Sequence, residues 1–417
     1  MVTAAVVMLV APFGVVISGP GSGLGGETGG WTDEKTGEEA IGKRDGGEKE
    51  KTGEETSEER DEKTGEEAIG KRDGGEKEKT GEEMVEKKGE EMEQLKVMFW
   101  NLENFFDFID GGSGKSDTEF SSDGPRRWTK KRFYRKCQAI AKTILWAGSA
   151  GVGTDRLPDG GVSDGGGWGT ALPDIVGVAE VENRFVLRQL VEKTALHKLD
   201  YEIVHFDSPD PRGIDCALLY RGSRLTLVSA RPCRVSAPGL QTRDILLAQF
   251  LTPAGDSLAV LVNHHPSKYG GGETDWRREV AVARLRALGD SLAAAGWTRA
   301  VALGDFNDVP ENSLFHRLEP TFSLCRGILT PSGSKGDRNA PGYQLRGSIR
   351  FNGEWQLIDL CFVTTALADR TSFRILEPPF LTERDAAHSG DKPLRTYSGP
   401  RYLGGVSDHR PIMVFLQ

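Results

Sequence analysis

Residues 299–308 read RAVALGDFND, a short apolar run followed at once by an acid, an amide and a second acid. Two more such runs end in a functional side chain: DIVGVAE at 174–180 ends in a carboxylate, and LAVLVNH at 258–264 ends in an imidazole. The sequence SDH follows at 407–409. Short apolar runs of this length are typical of buried strands. Strand ends that bring carboxylates, amides and imidazoles to one rim provide hard oxygen ligands and proton carriers. This combination suits Mg²⁺ and the hydrolysis of phosphate esters.

Six motifs in chain order resemble those of the endonuclease/exonuclease/phosphatase superfamily. They are WNLEN (100–104), VAEVEN (178–183), RGIDCALLY (212–220), NHHPSK (263–268), GDFND (304–308) and YLGGVSDH (402–409). The resemblance spans residues 95–417 and is greatest to exported bacterial members. It implies an α/β fold, a four-layer α/β sandwich in which two packed mixed β-sheets are flanked by helices. It also implies phosphoester hydrolysis.

Apolar patterning predicts the elements of this domain. Strands are expected at 97–100, 175–179, 217–220, 258–262, 300–303, 357–363 and 412–415. Helical spacing recurs at Phe133, Cys137, Ile140 and Ile144, and again at Ala281, Leu285, Leu288 and Leu292. The Gly-rich stretch 151–170 is expected to be a surface insertion. The five cysteines are an odd number and are expected as small core residues rather than as a disulfide framework.

The chain begins with a different kind of sequence. Residues 1–26 contain no charged side chain, and the apolar run 4–17 is shorter than the about 20 residues of a membrane span. We expect an export signal there and a periplasmic, cell-surface or secreted protein, although no Lys or Arg precedes the run. A misassigned start codon is the alternative.

Residues 27–94 are expected to form a disordered acidic linker. The 23-residue sequence at 33–55 recurs unchanged at 61–83, and its only apolar residues, Ala and Ile, cannot bury a face. Residues 31–93 carry 13 basic and 24 acidic side chains, whereas the whole chain has a net charge of −9. The remainder is therefore nearly neutral at +2, which leaves an anionic substrate free to approach the folded domain.

Three acids are expected at a metal site. Glu180 ends the run DIVGVAE, where an unpaired buried carboxylate would be costly, and the resemblance places the principal metal ligand there. The resemblance also implies metal-facing roles for Glu103, which stands where the family has Asp, and for Asp408. Asn101 is either a turn former or an amide that steadies the substrate site. Glu182 is expected in the first turn of the next helix.

The catalytic set centres on the GDFND motif. Asp305 is expected to take a proton from the attacking water or to orient it, and Asn307 to hold that water or a phosphoryl oxygen. Their i, i+2 spacing puts both side chains on one side of an extended chain. The resemblance implies that His264 binds phosphate and donates a proton. The resemblance also implies that Asp359, which is flanked by apolar residues in LIDLCFV, pairs with His409. The Asp359 carboxylate would raise the pKa of His409.

Three more residues are candidates for substrate binding. Arg212 either clamps a phosphate oxygen or simply faces solvent. Asp215 either caps a strand edge or orients an active-site imidazole. Lys268, in the loop PSKYGG, would add positive charge for a substrate phosphate. His265 is expected in the pocket wall and Asp308 in a turn.

The expected activity is Mg²⁺- or Mn²⁺-dependent hydrolysis of phosphoester bonds, with a phosphodiester substrate and nucleic acid as one candidate. The stretch 126–136 supports nucleic acid because it contains seven Lys or Arg and three aromatic residues, although it also fits the exposed face of an amphipathic helix. The alternatives are a phosphomonoesterase of the inositol polyphosphate phosphatase type and a non-catalytic binding protein on this fold. The lack of a long apolar hairpin argues against a sphingomyelinase. We expect a monomer without a stable membrane span.

Overall fold

The computed structural model describes residues 94–111, 116–149, 172–268, 271–325 and 347–417. The expectations for the apolar segment 1–26, for the two repeats and for the stretch 151–170 lie outside these residues. None of the helices in the described ranges is long and apolar enough to cross a membrane.

Strands account for most of the regular structure in the described residues. They are β1 (Leu95–Phe105), β2 (Ile175–Val181), β3 (Tyr201–His205), β4 (Asp215–Arg221), β5 (Thr226–Cys233), β6 (Ile245–Leu251), β7 (Ser257–His264), β8 (Ala300–Asp305), β9 (Phe322–Leu324), β10 (Ile349–Phe351), β11 (Glu354–Gln356), β12 (Asp359–Thr364), β13 (Thr371–Ile375), β14 (Thr382–Arg384), β15 (Asp391–Pro393), β16 (Tyr397–Ser398), β17 (Arg401–Tyr402) and β18 (Ile412–Leu416). The α-helices are α1 (Lys130–Ser149), α2 (Arg184–Glu192), α3 (Asp275–Ala294) and α4 (Thr365–Ala368). Short 3₁₀ turns lie at Ala195–Lys198, Gly271–Thr274, Ser313–Leu318 and Pro379–Leu381.

Two six-stranded sheets form the centre of the fold. Sheet I has the order β13-β18-β1-β2-β4-β3, and sheet II has the order β5-β6-β7-β8-β12-β9. Strand β1 runs parallel to β2, and β7 runs parallel to β8, whereas the other neighbours in both sheets are antiparallel. Both sheets are therefore mixed, as the resemblance implied.

Side chains alternate between two cores along the central strands. In β1, Val97 and Phe99 lie in the core between the sheets, whereas Met98 and Trp100 pack in a core with α1 and α2. Strand β7 alternates in the same way between the intersheet core and a third core that contains α3. This period of two follows from the pleat. Three cores thus separate four layers, and the expected α/β sandwich is confirmed.

The seven predicted strands correspond to β1, β2, β4, β7, β8, β12 and β18, and the two helical patterns to α1 and α3. The expectation for Glu182 is wrong, because α2 begins at Arg184 and its N-cap is Asn183, whose side chain accepts a hydrogen bond from Val186 N. The Glu182 carboxylate instead accepts a hydrogen bond from Asp107 N. The five cysteines are unpaired, and four of them are buried.

Candidate active site

The neighbouring ends of β7 and β8 bring the first two catalytic candidates together. The parallel register pairs His264 with Asp305 and Asn263 with Gly304. A Cβ atom at Gly304 would stand 2.1 Å from the backbone oxygen of Asn263. Because no real Cβ contact is so short, glycine at this position is what lets the two strand ends lie side by side.

Asp305 is the centre of the site. It is 2% exposed, and its Oδ2 atom accepts a hydrogen bond from Asn101 Nδ2 at 3.0 Å. The same oxygen lies 3.6 Å from His264 Nε2 and 3.8 Å from His409 Nε2. Burial raises the pKa of Asp305 to about 7, an effect that His409 opposes and Asp359 reinforces. A carboxyl group with this pKa can both take up and release a proton near neutral pH.

His409 forms the expected pair with Asp359. The two are joined through His409 Nδ1 and Asp359 Oδ2 at 2.8 Å, and Asp359 is fully buried. Burial by itself lowers the pKa of His409, but the Asp359 and Asp305 carboxylates outweigh it and raise this pKa well above its usual value. His409 is therefore a charged imidazolium at neutral pH, with Nδ1 held by Asp359 and Nε2 turned towards Asp305.

Hydrogen bonds with the end of β1, in sheet I, hold the loop that contains His409 in place. Trp100 Nε1 donates a hydrogen bond to His409 O at 2.9 Å, and Ser407 Oγ donates to Asn101 O at 2.6 Å. Ser407 Oγ also accepts from His409 N. The SDH motif is thus tied to the end of β1, which explains how residues about 300 positions apart share one site.

His264 has a different protonation state from His409. Burial, together with the nearby Arg243, Arg212 and His409, lowers its pKa well below the usual value. Its Nδ1 atom is buried and has no hydrogen-bond partner among the described residues. At neutral pH His264 is therefore an uncharged hydrogen-bonding group, and its role as a phosphate-binding proton donor stays a prediction.

Glu180 ends β2 on the same rim. Its Oε2 atom accepts hydrogen bonds from Asn104 N at 2.8 Å and Arg212 Nη2 at 3.2 Å. Burial opposes ionisation, but Arg212 and the Asn104 amide overcome it and lower the pKa of Glu180. The carboxylate is therefore ionised and has the hard oxygen atoms that a divalent cation needs.

Unusual backbone conformations are concentrated at this rim. Six described residues other than glycine have positive φ, and four of them belong to the site: Glu103, Asn104, Glu180 and Asn307. Such conformations cost roughly 1–3 kcal/mol each for a residue such as glutamate. Local hydrogen bonds offset this cost, such as those that Asn307 makes from its N to Asp305 Oδ1 and from its Nδ2 to His265 O, both at 2.9 Å.

Glu103 lies at the rim, but its carboxylate is held by groups of the chain itself. Arg395 Nη2 and Nε contact Glu103 Oε1 at 2.6 and 2.9 Å, and Thr396 N donates to Oε2 at 3.1 Å. Arg395 Nη2 also lies 3.0 Å from Asp408 Oδ2. Glu103 is thus engaged in an ion pair with Arg395, and its metal-facing role stays a prediction.

Lys136 is a member of the site that the sequence analysis did not identify. It is 1% exposed, and its Nζ atom donates to Glu103 O at 2.6 Å and Thr396 Oγ1 at 2.9 Å. Burial lowers its pKa to about 8, although the charges of Glu103, Glu180 and Asp408 oppose the shift. The sequence carries one signal for it: Lys136 interrupts the buried face of α1 between Phe133 and Ile140.

The three substrate-binding candidates have partners within the protein. Arg212 contacts Glu180 and donates to Asn104 Oδ1 at 2.7 Å, while its side chain remains 40% exposed. Asp215 lies 3.1 Å from His205 Nε2, so the imidazole that it contacts is not one of the two in the catalytic cluster. Lys268 forms an ion pair with Asp308 at 2.6 Å.

Asp308 and His265 are more deeply buried than their expected roles suggest. Asp308 is 1% exposed and also pairs with the buried Arg278. His265 is 1% exposed and packs edge-on against Phe306, with ring centroids 4.6 Å apart. Asp308 lies in the bend that follows β8, as expected, and its carboxylate pairs with Lys268 and Arg278; the wall role of His265 stays a prediction.

Among the described residues, the acid and histidine clusters tight enough to share one ion are His205 with Asp207 and Asp215, and Asp305 with Asp359 and His409. Glu180 and Asp408 belong to neither cluster. Both border the catalytic cluster, because Glu180 Oε1 lies 4.0 Å from His264 Nε2 and Asp408 Oδ1 lies 3.9 Å from His409 Nε2. Carboxylates without Cys or further His ligands fit Mg²⁺ or Mn²⁺ better than zinc.

The fold divides the basic stretch 126–136 into buried and exposed parts. Trp128 and Phe133 are fully buried, so these two aromatic residues are not available for contact with nucleic acid. Arg132 lies over the ring of Tyr402, 4.3 Å from its centroid. The exposed cations are Arg127, Lys130, Lys131 and Arg135.

A cavity of about 620 Å³ opens beside Arg212. The loop before β4, the loop between β5 and β6 and the start of α3 line it, and they contribute Arg212, Thr242 and Arg277. Arg212 and Arg277 give the cavity cationic contacts, and Arg212 also pairs with Glu180.

Comparison with known proteins adds independent information. Residues 96–417 match the model described as "Endonuclease/Exonuclease/phosphatase family". Three solved structures are similar: the human nocturnin catalytic domain with bound sulfate anion (16% identity, 77% of this chain and 94% of that chain, TM-score 0.45), the Bacteroides thetaiotaomicron VPI-5482 mannosyl-6-phosphatase (16%, 78% and 100%, 0.46) and truncated Caenorhabditis elegans TDP2 (15%, 78% and 97%, 0.46). No curated protein matches the chain.

Proposed function

Because the chain belongs to the endonuclease/exonuclease/phosphatase family, we propose that it is a metal-dependent phosphodiesterase that hydrolyses its substrate by in-line attack of an activated water. The supporting observation is the cluster of Asp305, His409 and Asp359, in which a carboxyl group with a pKa of about 7 faces a charged imidazole. A proton acceptor and a charge-stabilising donor 3.8 Å apart are the two groups that attack on phosphorus requires.

Each residue of the cluster has a separate task. Asp305 accepts the proton of the attacking water, and Asn101 holds the Asp305 carboxylate in position from sheet I. His409 Nε2 donates a hydrogen bond to the charge that develops on the phosphoryl oxygens, while Asp359 fixes the tautomer and orientation of the imidazole. Asn307, held by His265 O, orients the water or a phosphoryl oxygen without adding negative charge. His264 contributes a neutral hydrogen bond.

The residues that would hold the ion are Glu180 and Asp408. Their oxygen donors fit Mg²⁺ or Mn²⁺. When bound, such an ion supplies Lewis-acid charge that neutralises the phosphoryl oxygens.

An extended phosphodiester, with DNA as the first candidate, is the substrate class that we propose. The exposed cations Arg127, Lys130 and Lys131 support this choice, as does the cavity beside Arg212, which can receive a further part of an anionic substrate. Phosphate contacts of this kind release counterions, so binding should weaken with salt by about one unit of logarithmic slope per phosphate contacted.

The test is a substrate panel with the full-length protein. Plasmid DNA, RNA, bis(4-nitrophenyl) phosphate, 4-nitrophenyl phosphate and inositol phosphates are assayed with and without EDTA. We expect metal-dependent cleavage of the diesters, and we expect reversal of charge at Arg127, Lys130 and Lys131 to lower DNA affinity without changing turnover of the small diester. Hydrolysis of monoesters alone would replace the proposal with the phosphatase alternative, and a lack of any hydrolysis would favour a binding protein.

A further inference from the structure

Arg395 lies among the acids of the rim. It belongs neither to the six sequence motifs nor to the proposed catalytic cluster. It precedes β16 in the segment between β14 and SDH. Its guanidinium contacts Glu103 Oε1 through Nε and Nη2 and lies 3.0 Å from Asp408 Oδ2. Burial opposes its charge, but Asp408, Glu103 and Glu180 all raise its pKa. Arg395 is therefore a permanent cation within the set of carboxylates that includes the proposed ion ligands.

Glu103 is fully committed to this arrangement. Its Oε1 atom binds Arg395, its Oε2 atom accepts from Thr396 N, and its backbone oxygen accepts from Lys136 Nζ. Its own N donates to Asn101 Oδ1 at 2.9 Å. Coordination of an ion by Glu103 would require its Oε1 atom to give up two hydrogen bonds from Arg395 or its Oε2 atom to give up the one from Thr396 N, at a side chain only 8% exposed.

Arg395 itself remains open on one side. Its side chain is 43% exposed, and within the described part of the chain its Nη1 atom has no hydrogen-bond partner. Glu103 and Asp408 engage the Nε and Nη2 atoms of the planar guanidinium, so the Nη1 donors remain available for a phosphoryl oxygen. A purely structural ion pair would need neither the contact with Asp408 nor the exposed edge.

We propose that Arg395 binds the substrate phosphate as a fixed cation beside Asp408, and that Glu103 is a positioning residue that holds Arg395 and does not ligate metal. The inference rests on the proposed phosphoester substrate, and it has a consequence for the ion: the site binds one divalent cation, through Glu180 and Asp408, because the single positive charge of Arg395 takes the place of a second ion among these carboxylates.

The test uses binding measurements that do not depend on turnover. Isothermal titration calorimetry gives the number and Kd of Mn²⁺ ions for the full-length wild type and for Arg395→Gln, Glu103→Gln and Glu180→Gln. Competition titration with inorganic phosphate, in the presence of Mn²⁺, gives the phosphate Kd. Arg401→Gln is the matched control, because Arg401 is an exposed arginine six positions from Arg395 in the same segment.

We expect one Mn²⁺ at the rim in the wild type, in Arg395→Gln and in Glu103→Gln, and loss of that ion in Glu180→Gln. Phosphate binding should weaken by roughly 10- to 100-fold in Arg395→Gln, the effect of one hydrogen bond to a charged group. Arg395→Lys should recover part of it, because the charge is kept and the fork is lost. Arg401→Gln should match the wild type.

Two Mn²⁺ ions that are both lost in Glu180→Gln, loss of Mn²⁺ in Glu103→Gln to the extent seen in Glu180→Gln, or wild-type phosphate affinity in Arg395→Gln would each overturn the proposal. If Glu103→Gln fails to fold in a thermal melt, Arg395→Gln and the wild-type stoichiometry still decide the question. Failure of the proposed function is separate, because it appears as a wild type that binds Mn²⁺ and phosphate but hydrolyses no ester.

Discussion

Asp359→Asn is the substitution that best separates the protonation chemistry of the site from its shape. Asparagine has nearly the same volume and can still accept the hydrogen bond from His409 Nδ1, which lies 2.8 Å from Asp359 Oδ2. The negative charge that raises the pKa of His409 is lost, whereas burial, which lowers that pKa, remains. We therefore expect His409 to be neutral at pH 7 in the variant, and kcat to fall about 10²–10³-fold, as for the loss of one charge-stabilising donor.

The effect on stability has a defined sign. Because folding raises the pKa of His409, the pair stabilises the wild type fully below the unfolded pKa of about 6.5, and this stabilisation is lost as the pH rises through the raised pKa. Breaking a buried pair typically costs about 3–5 kcal/mol. Urea unfolding should therefore show the largest difference between wild type and Asp359→Asn near pH 6, and a smaller difference at alkaline pH.

The control is Asp174→Asn, because Asp174 is a buried, ion-paired aspartate at the opposite end of β2. It is 2% exposed and lies 3.0 Å from Arg224. This variant should be destabilised while kcat stays near that of the wild type. The measurements are the pH dependence of kcat/KM on bis(4-nitrophenyl) phosphate and the NMR titration of the histidine ring protons. A wild-type pH profile and an unshifted His409 titration in Asp359→Asn would refute this account of the site.

Three further predictions test the centre, the scaffold and the boundary of the domain. Asp305→Ala should lower kcat by at least about 10² while leaving the thermal melt in place, because it removes a proton acceptor at a strand end; near wild-type turnover would contradict this. Gly304→Ala should fail to fold or lose several kcal/mol, on the order of 3, in urea unfolding, since its Cβ would meet Asn263 O at 2.1 Å. Deletion of residues 1–93 should leave kcat unchanged, and limited proteolysis should trim the full-length chain to near Leu95; aggregation of the truncated protein would show that the boundary is misplaced.

Sequence patterning predicts the centre of this fold better than its edges. Strands buried on both faces, such as β1 and β7, read as continuous apolar runs and could be assigned directly. Strand β5 is mostly exposed, so its sequence TLVSARPC has no comparable pattern. Strand β6, ILLAQFL, is an apolar run as clear as the others, and nothing physical explains its absence from the predicted set.

The candidate site shows a similar division. Asp305, Asn307 and His409 could be found because each belongs to a compact motif beside a buried strand. Arg395 could not, because its position at the rim depends on contacts with Glu103, 292 residues away. The imidazole beside Asp215 was beyond prediction for the same reason, since only the pairing of β3 with β4 brings His205 next to it.

The charges of the rim explain how one site can hold several acids close together. Glu103, Glu180 and Asp408 are matched by three cations, Lys136, Arg212 and Arg395. Each carboxylate therefore has a partner before any ion binds, which offsets the desolvation cost that isolated buried charges would incur. A divalent cation added to this set makes the charge of the rim more positive. The attraction for an anionic phosphodiester then arises at the reacting atoms, because the charge is local even though the domain as a whole is nearly neutral.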